Sequence, residues 1–114
     1  MIRILYLILL LSISYGQNID LYLSLINEGK IDGVKETLPE LISKYPKNPK
    51  VLYLKALLTE NGESSIKQYK DIIEKHPNSK YAPNAAMKIG EYFYARGLYT
   101  QSAALLKNIP IKYP

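Results

Sequence analysis

Three stretches of this chain end in the same way, with Lys44-Tyr45-Pro46, Lys75-His76-Pro77 and Lys112-Tyr113-Pro114. The intervals between the closing prolines are 31 and 37 residues, and the outer pair stands 68 apart, twice 34. Gly29 and Gly97 are separated by the same 68 residues, so two unrelated landmarks report one period. A period of this size belongs to stacked supersecondary units, each too small to bury its own apolar face. That constraint removes most single-core folds before any other feature is considered.

Counting back from each proline gives the stretches Val34 to Pro46, Ser65 to Pro77 and Ser102 to Pro114. Apolar side chains recur in them at helical spacing: Val34, Leu38, Leu41, Ile42 and Tyr45; Ile66, Tyr69, Ile72, Ile73 and His76; Ala103, Leu106, Ile109 and Tyr113. Each reads as an amphipathic helix stopped by proline, which has no N–H to donate and drives the preceding residue out of the helical region. A partner helix precedes each one. Asn18 to Glu28 carries Ile19, Tyr22, Leu23 and Ile26; Asn48-Pro49 opens a helix with Val51, Leu52, Leu54, Leu57 and Leu58; Ala82 to Ala95 sets Ala86, Ile89, Gly90 and Phe93 on one face. Gly29, Gly62 and Gly97 fall between the paired helices, where a glycine in the left-handed region readily ends a helix. The expected fold is all-α: six helices in three hairpins over 17–114, in units of about 17–46, 47–77 and 78–114. Pro39 and Pro110 lie inside second helices, where kinks or early ends are expected.

This register resembles the tetratricopeptide repeat. In the third unit Ala86, Ile89, Gly90, Phe93, Gly97, Tyr99, Ser102, Leu106, Ile109 and Pro114 stand at the spacings of that family, with Gly90 and Ser102 where two crossing helices leave room only for small side chains. The first unit matches at Tyr22, Gly29, Val34, Leu38, Leu41 and Pro46, but Tyr22 and Val34 occupy its small positions. The second unit is about three residues short, with nine residues from Ala56 to Ser65 against twelve from Gly90 to Ser102. The junction Pro77-Asn78-Ser79-Lys80-Tyr81-Ala82-Pro83 is similar to segments between repeats in exported bacterial members, such as the outer-membrane barrel-assembly lipoprotein and the periplasmic coordinator of the Tol-Pal system. The resemblance implies an α-solenoid whose first helices line a groove for a peptide or partner protein. It assigns Asn84, Met87, Glu91 and Tyr94 of the third unit, and Lys50 and Tyr53 of the second, to that groove.

The amino terminus bears on location. Met1-Ile2-Arg3 is a short basic start, Ile4 to Ile13 an apolar run, and Ser14-Tyr15-Gly16 a small-x-small site, so residues 1–16 read as a signal peptide cleaved after Gly16. The apolar run is about half the roughly twenty residues needed to span a bilayer. The expectation is an exported protein, periplasmic or secreted. With no cysteine there is no lipobox thiol, disulfide or zinc-thiolate site.

Function follows from what the residues lack as well as from the repeats. The net charge of +5 is spread among both signs, with no basic block of the kind nucleic acid requires. His76 is the only histidine and aligns with Tyr45 and Tyr113, which points to packing at a helix end. Ser64 and Ser65 have no base placed by motif, Glu36 and Glu40 read as an exposed acidic face, and no phosphate-loop or dinucleotide pattern occurs. The expectation is a scaffold or adaptor of the cell envelope that binds a protein or peptide, without catalysis, cofactor, metal or nucleic acid. Two alternatives stand beside it. One is a structural module that associates with itself through an uncapped carboxyl-terminal end. The other is the repeat portion of a longer envelope protein whose activity lies downstream.

Overall fold

Wherever apolar residues recur at helical spacing in the second half of each unit, the chain is helical and stops in one manner. A computed structural model describes residues 20–114; the proposed leader and its cleavage site lie outside them. The described residues form six α-helices and no strand: α1 over 20–27, α2 Asp32–Lys44, α3 Pro49–Leu58, α4 Gly62–Lys75, α5 Tyr81–Ala95 and α6 Tyr99–Lys112. The three repeated endings are three copies of one helix stop. Tyr45, His76 and Tyr113 are the C-caps of α2, α4 and α6, with φ of −131°, −132° and −127°. Each donates its backbone N–H to a carbonyl four residues back, Leu41, Ile72 or Ile109, at 2.8 Å. The proline that follows enforces the departure from helical geometry, and the lysine before each cap faces the negative end of the helix dipole.

The paired helices cross at their small residues. Ser102 is 2% exposed and its hydroxyl donates to the Gly90 carbonyl at 2.8 Å. Ser65 makes the same bond to the Ala56 carbonyl at 2.9 Å, so Ala56 and Ser65 are the second unit's counterparts of Gly90 and Ser102. In the first unit Val34 replaces the serine, is fully buried, and belongs to a cluster against which Tyr22 packs. Gly90 has no room for a side chain: a Cβ there would stand 2.6 Å from Leu106 Cδ2 and 2.9 Å from its Cγ.

The shortening of the second unit is confined to the last turn of α3. Past Gly90 α5 runs on five residues to Ala95, whereas past Ala56 α3 runs on two to Leu58; the loops 59–61 and 96–98 are equal in length. The turn chemistry changes with it. Gly29 and Gly97 take φ of 81° and 77°, as expected, but Gly62 does not. It is the first residue of α4, capped by Asn61, whose side chain accepts from Ser64 N at 2.9 Å. Glycine is needed there for space, since a Cβ would lie 2.5 Å from Tyr92 Cε2. Thr59 and Gln68 hydrogen-bond across this loop at 3.0 Å, closing with side chains a turn that a left-handed glycine closes elsewhere. Asn48 caps α3 as expected, accepting from Lys50 N at 2.9 Å, with Pro49 in the first turn. Pro39 and Pro110 do not end their helices, which continue to Lys44 and Lys112. Both prolines are exposed, where water can serve the carbonyl each deprives of its N–H.

From α2 to α6 each helix packs on its neighbour in sequence, and α3 also touches α5. The second helices α2, α4 and α6 make no such contact with one another. One buried cluster joins Val34, Leu41, Val51 and Leu54 at the first junction; the other joins Tyr53, Ala56, Ile66, Tyr69, Ile72, Tyr81, Ala85 and Ile89.

Two substitutions test the crossing. Gly90→Val should lower the unfolding free energy by about 1–3 kcal/mol through overpacking, although valine is the better helix former, while Ser102→Ala should cost about 1 kcal/mol. Urea unfolding followed by circular dichroism measures both. A Gly90→Val chain as stable as the parent would contradict the close crossing.

Candidate binding groove

Because the first helices lie side by side, their outward faces border a common hollow of about 320 Å³. Asp20, Leu23 and Asn27 of α1 form one wall, Tyr53 and Leu57 of α3 the floor, and Tyr81, Asn84 and Lys88 of α5 the other wall, with Lys80 just before it. The floor rests on a cluster of tilted tyrosine rings. The Tyr53 ring lies 5.4 Å from that of Tyr81 and 5.9 Å from that of Tyr69, at tilts of 37° and 55°. Burial pushes the Tyr53 phenol up to about 12, with smaller contributions from Tyr69, Glu91 and Tyr81. Burial raises Tyr69 as well. Tyr81 is 6% exposed, and its Oη, shut away from solvent, lies next to the Lys50 ammonium, whose pKa it helps Asp20 to raise.

The charges around this floor are mixed, with cations in excess. Lys50 Nζ meets Asp20 Oδ1 at 2.8 Å. The hydrogen bond to Lys50 lowers the Asp20 pKa, and the same bond raises that of Lys50. Lys88 Nζ reaches Glu91 at 3.4 Å, while Lys80 Nζ sits 5.3 Å from the centre of the Tyr81 ring. Among Lys50, Lys80, Lys88, Asp20 and Glu91 one positive charge is left over.

The six residues assigned by resemblance separate in space. Asn84 lines the groove and is exposed. Tyr53 is there too, as 9%-exposed core that shapes the floor, its ring in tilted contact with those of Tyr69 and Tyr81. Lys50 is at the edge, its side chain 24% exposed and held by Asp20. Met87, Glu91 and Tyr94 do not line the hollow. Met87 and Tyr94 are 46% and 64% exposed, and Tyr94 stands edge-on to Tyr99 of α6 at 5.1 Å. Sequence reasoning missed Asp20, Lys80, Tyr81 and Lys88. The spacing of Tyr81, Asn84 and Lys88 was the available signal, since positions three and seven apart share a helix face.

Ser65 and His76 lie outside the groove: the Ser65 hydroxyl donates to the Ala56 carbonyl, and the His76 backbone N–H caps α4. No cluster of three or more His, Cys, Asp or Glu side chains occurs among the described residues, and no described helix is long and apolar enough to cross a membrane. No protein-family model, no curated protein and no solved structure matches the chain.

The tyrosine floor makes stability depend on alkaline pH. In the unfolded chain Tyr53 loses its proton near its ordinary value of about 10, whereas in the fold it holds it to about 12. Its contribution is therefore whole below pH 10 and is lost as pH rises through that window, and Tyr69 acts with the same sign. Tyr53→Phe should shift the midpoint of alkaline unfolding upward, as read by circular dichroism. A midpoint unmoved or lowered would show that Tyr53 does not titrate as a buried phenol.

Proposed function

We propose that this chain is a non-catalytic protein-binding module of the tetratricopeptide type, whose first helices receive a partner segment bearing acidic side chains. The observation that carries this reading is the excess of cations over anions around the groove, where Lys80 and Lys88 stand against Asp20. A carboxylate entering there gives the spare lysine charge a counter-ion. Lys80, whose charge also acts on Asp20, stands over the Tyr81 ring at an exposed position that an incoming acid can reach. Met87 and Tyr94, exposed farther along α5, extend the contact with apolar area that loses little freedom on ordering. The repeated helix stops and the matched crossings at Ala56/Ser65 and Gly90/Ser102 support assignment to the repeat family. Export to the cell envelope rests on the leader sequence at 1–16.

A second reading has its own observation. Leu98, Leu106 and Ile111 near or on α6 are 42%, 37% and 74% exposed, which leaves apolar area through which copies of the chain can associate.

Selection of displayed random peptides on the immobilised chain separates these readings. The groove reading expects enrichment of Asp and Glu over Lys and Arg in the recovered sequences. Lys80→Glu should then weaken the selected peptide at unchanged helicity, because the variant reverses a charge that the acidic segment meets at an exposed position. Met87→Glu with Tyr94→Lys should also lose binding at unchanged helicity. Peptides without acidic bias, or full binding by Lys80→Glu, would overturn the groove.

A further inference from the structure

On the far side of α5 from the groove, a second cleft of about 490 Å³ opens among α4, α5 and α6. A related cleft of about 460 Å³ lies between α3 and α4. The two occupy one position in successive units. Leu52 and Lys55 of α3 stand 34 residues before Ala86 and Ile89 of α5, and Gln68, Asp71, Lys75 and His76 stand 37 before Leu105, Asn108, Lys112 and Tyr113. Helix packing produces the shape in both, so the difference in their linings is not dictated by packing.

The earlier cleft is lined mostly by polar and charged side chains, among them an acid: Asp71 pairs with Lys75 at 3.6 Å, Gln68 bonds Thr59 at 3.0 Å, and Lys47, Lys55 and His76 stand beside them. The later cleft is apolar along Ala86, Ile89, Phe93, Leu105 and Ile109, and it contains no acidic residue. Two lysines, Lys70 and Lys112, stand among its lining residues with no carboxylate partner among the described residues. The Tyr113 hydroxyl in its wall is buried and has no hydrogen-bond partner. Apolar walls with a few convergent polar donors, in this size range, are the make-up of a small-molecule site. We propose that this cleft binds a single-chain anionic amphiphile, a free fatty acid, with the acyl chain along Ile89, Phe93 and Leu105 and the carboxylate held by Lys70, Lys112 and the Tyr113 hydroxyl. The assignment is independent of the groove, which lies among α1, α3 and α5 and shares no lining residue with this cleft.

Calorimetric titration of the full chain with dodecanoate, below its micelle concentration, tests the proposal, with dodecanol as the uncharged control. The expected result is one-to-one binding of dodecanoate, with dodecanol weaker by about tenfold or more because it offers the lysines no charge. Lys70→Glu with Lys112→Glu, both exposed positions, should remove the preference for dodecanoate without loss of helicity. Ala86→Leu, which copies the residue at the corresponding place in the earlier cleft, should block both ligands by filling the volume. Absence of dodecanoate binding, equal binding of the alcohol, or unchanged binding by the charge-reversed variant would each overturn it. Light scattering in the same samples must show one mass with and without ligand; heat that tracks a change in oligomeric state would mean a second copy occupies the cleft and would equally overturn it.

Discussion

Two helices can share a hairpin this closely only where their side chains nearly vanish, and the contact between Gly90 and Ser102 meets that condition. The serine hydroxyl replaces lost side-chain volume with a bond to the carbonyl that the glycine leaves accessible. Once α5 and α6 are fixed at that point, the remaining residues follow: Leu105 and Leu106 press on the glycine, Ile89 turns into the core, and Tyr81, Asn84 and Lys88 are carried to the opposite side of α5. The second unit repeats the bond with Ala56 and Ser65, which brings Tyr53 into register beneath Tyr81. The first unit replaces the polar crossing by the buried Val34, at no cost in unsatisfied groups because valine brings none.

Much of this was legible in the sequence because it depends on residues with few alternatives. Proline after a Lys-aromatic or Lys-His pair stops a helix wherever it occurs, so the ends of α2, α4 and α6 could be placed to within two residues, and Asn48-Pro49 announced the start of α3. Glycine was less informative, since the residue serves two purposes. Gly29 and Gly97 provide left-handed backbone, while Gly62 provides room for Tyr92, and only the packing of α5 tells them apart. Sequence alone does not show which carbonyl faces water, so an exposed proline inside a helix reads as an interruption.

The groove was harder to read for a similar reason. Lys50 and Tyr53 look like surface residues of an amphipathic helix, yet one is bound to Asp20 and the other lies beneath two rings. Those partners come from α1, α4 and α5, so no local pattern discloses them. Charge on the two faces of α5 differs accordingly: the groove side offsets most of its lysines with Asp20 and Glu91, whereas the cleft side leaves Lys70 and Lys112 without an acid. On the cleft side the buried Tyr113 Oη has no hydrogen-bond partner, whereas on the groove side Tyr81 Oη lies beside Lys50.

We propose that partners are held by the first helices, and with no native cysteine in the sequence this is directly measurable. A photoreactive label can be attached through a single cysteine at Asn84, in the groove, or at Lys67, an exposed position of α4 outside it. With a selected peptide bound, illumination should join the peptide to the chain labelled at position 84 and leave the chain labelled at position 67 unmodified. Cross-linking from position 67 with none from position 84 would contradict the account.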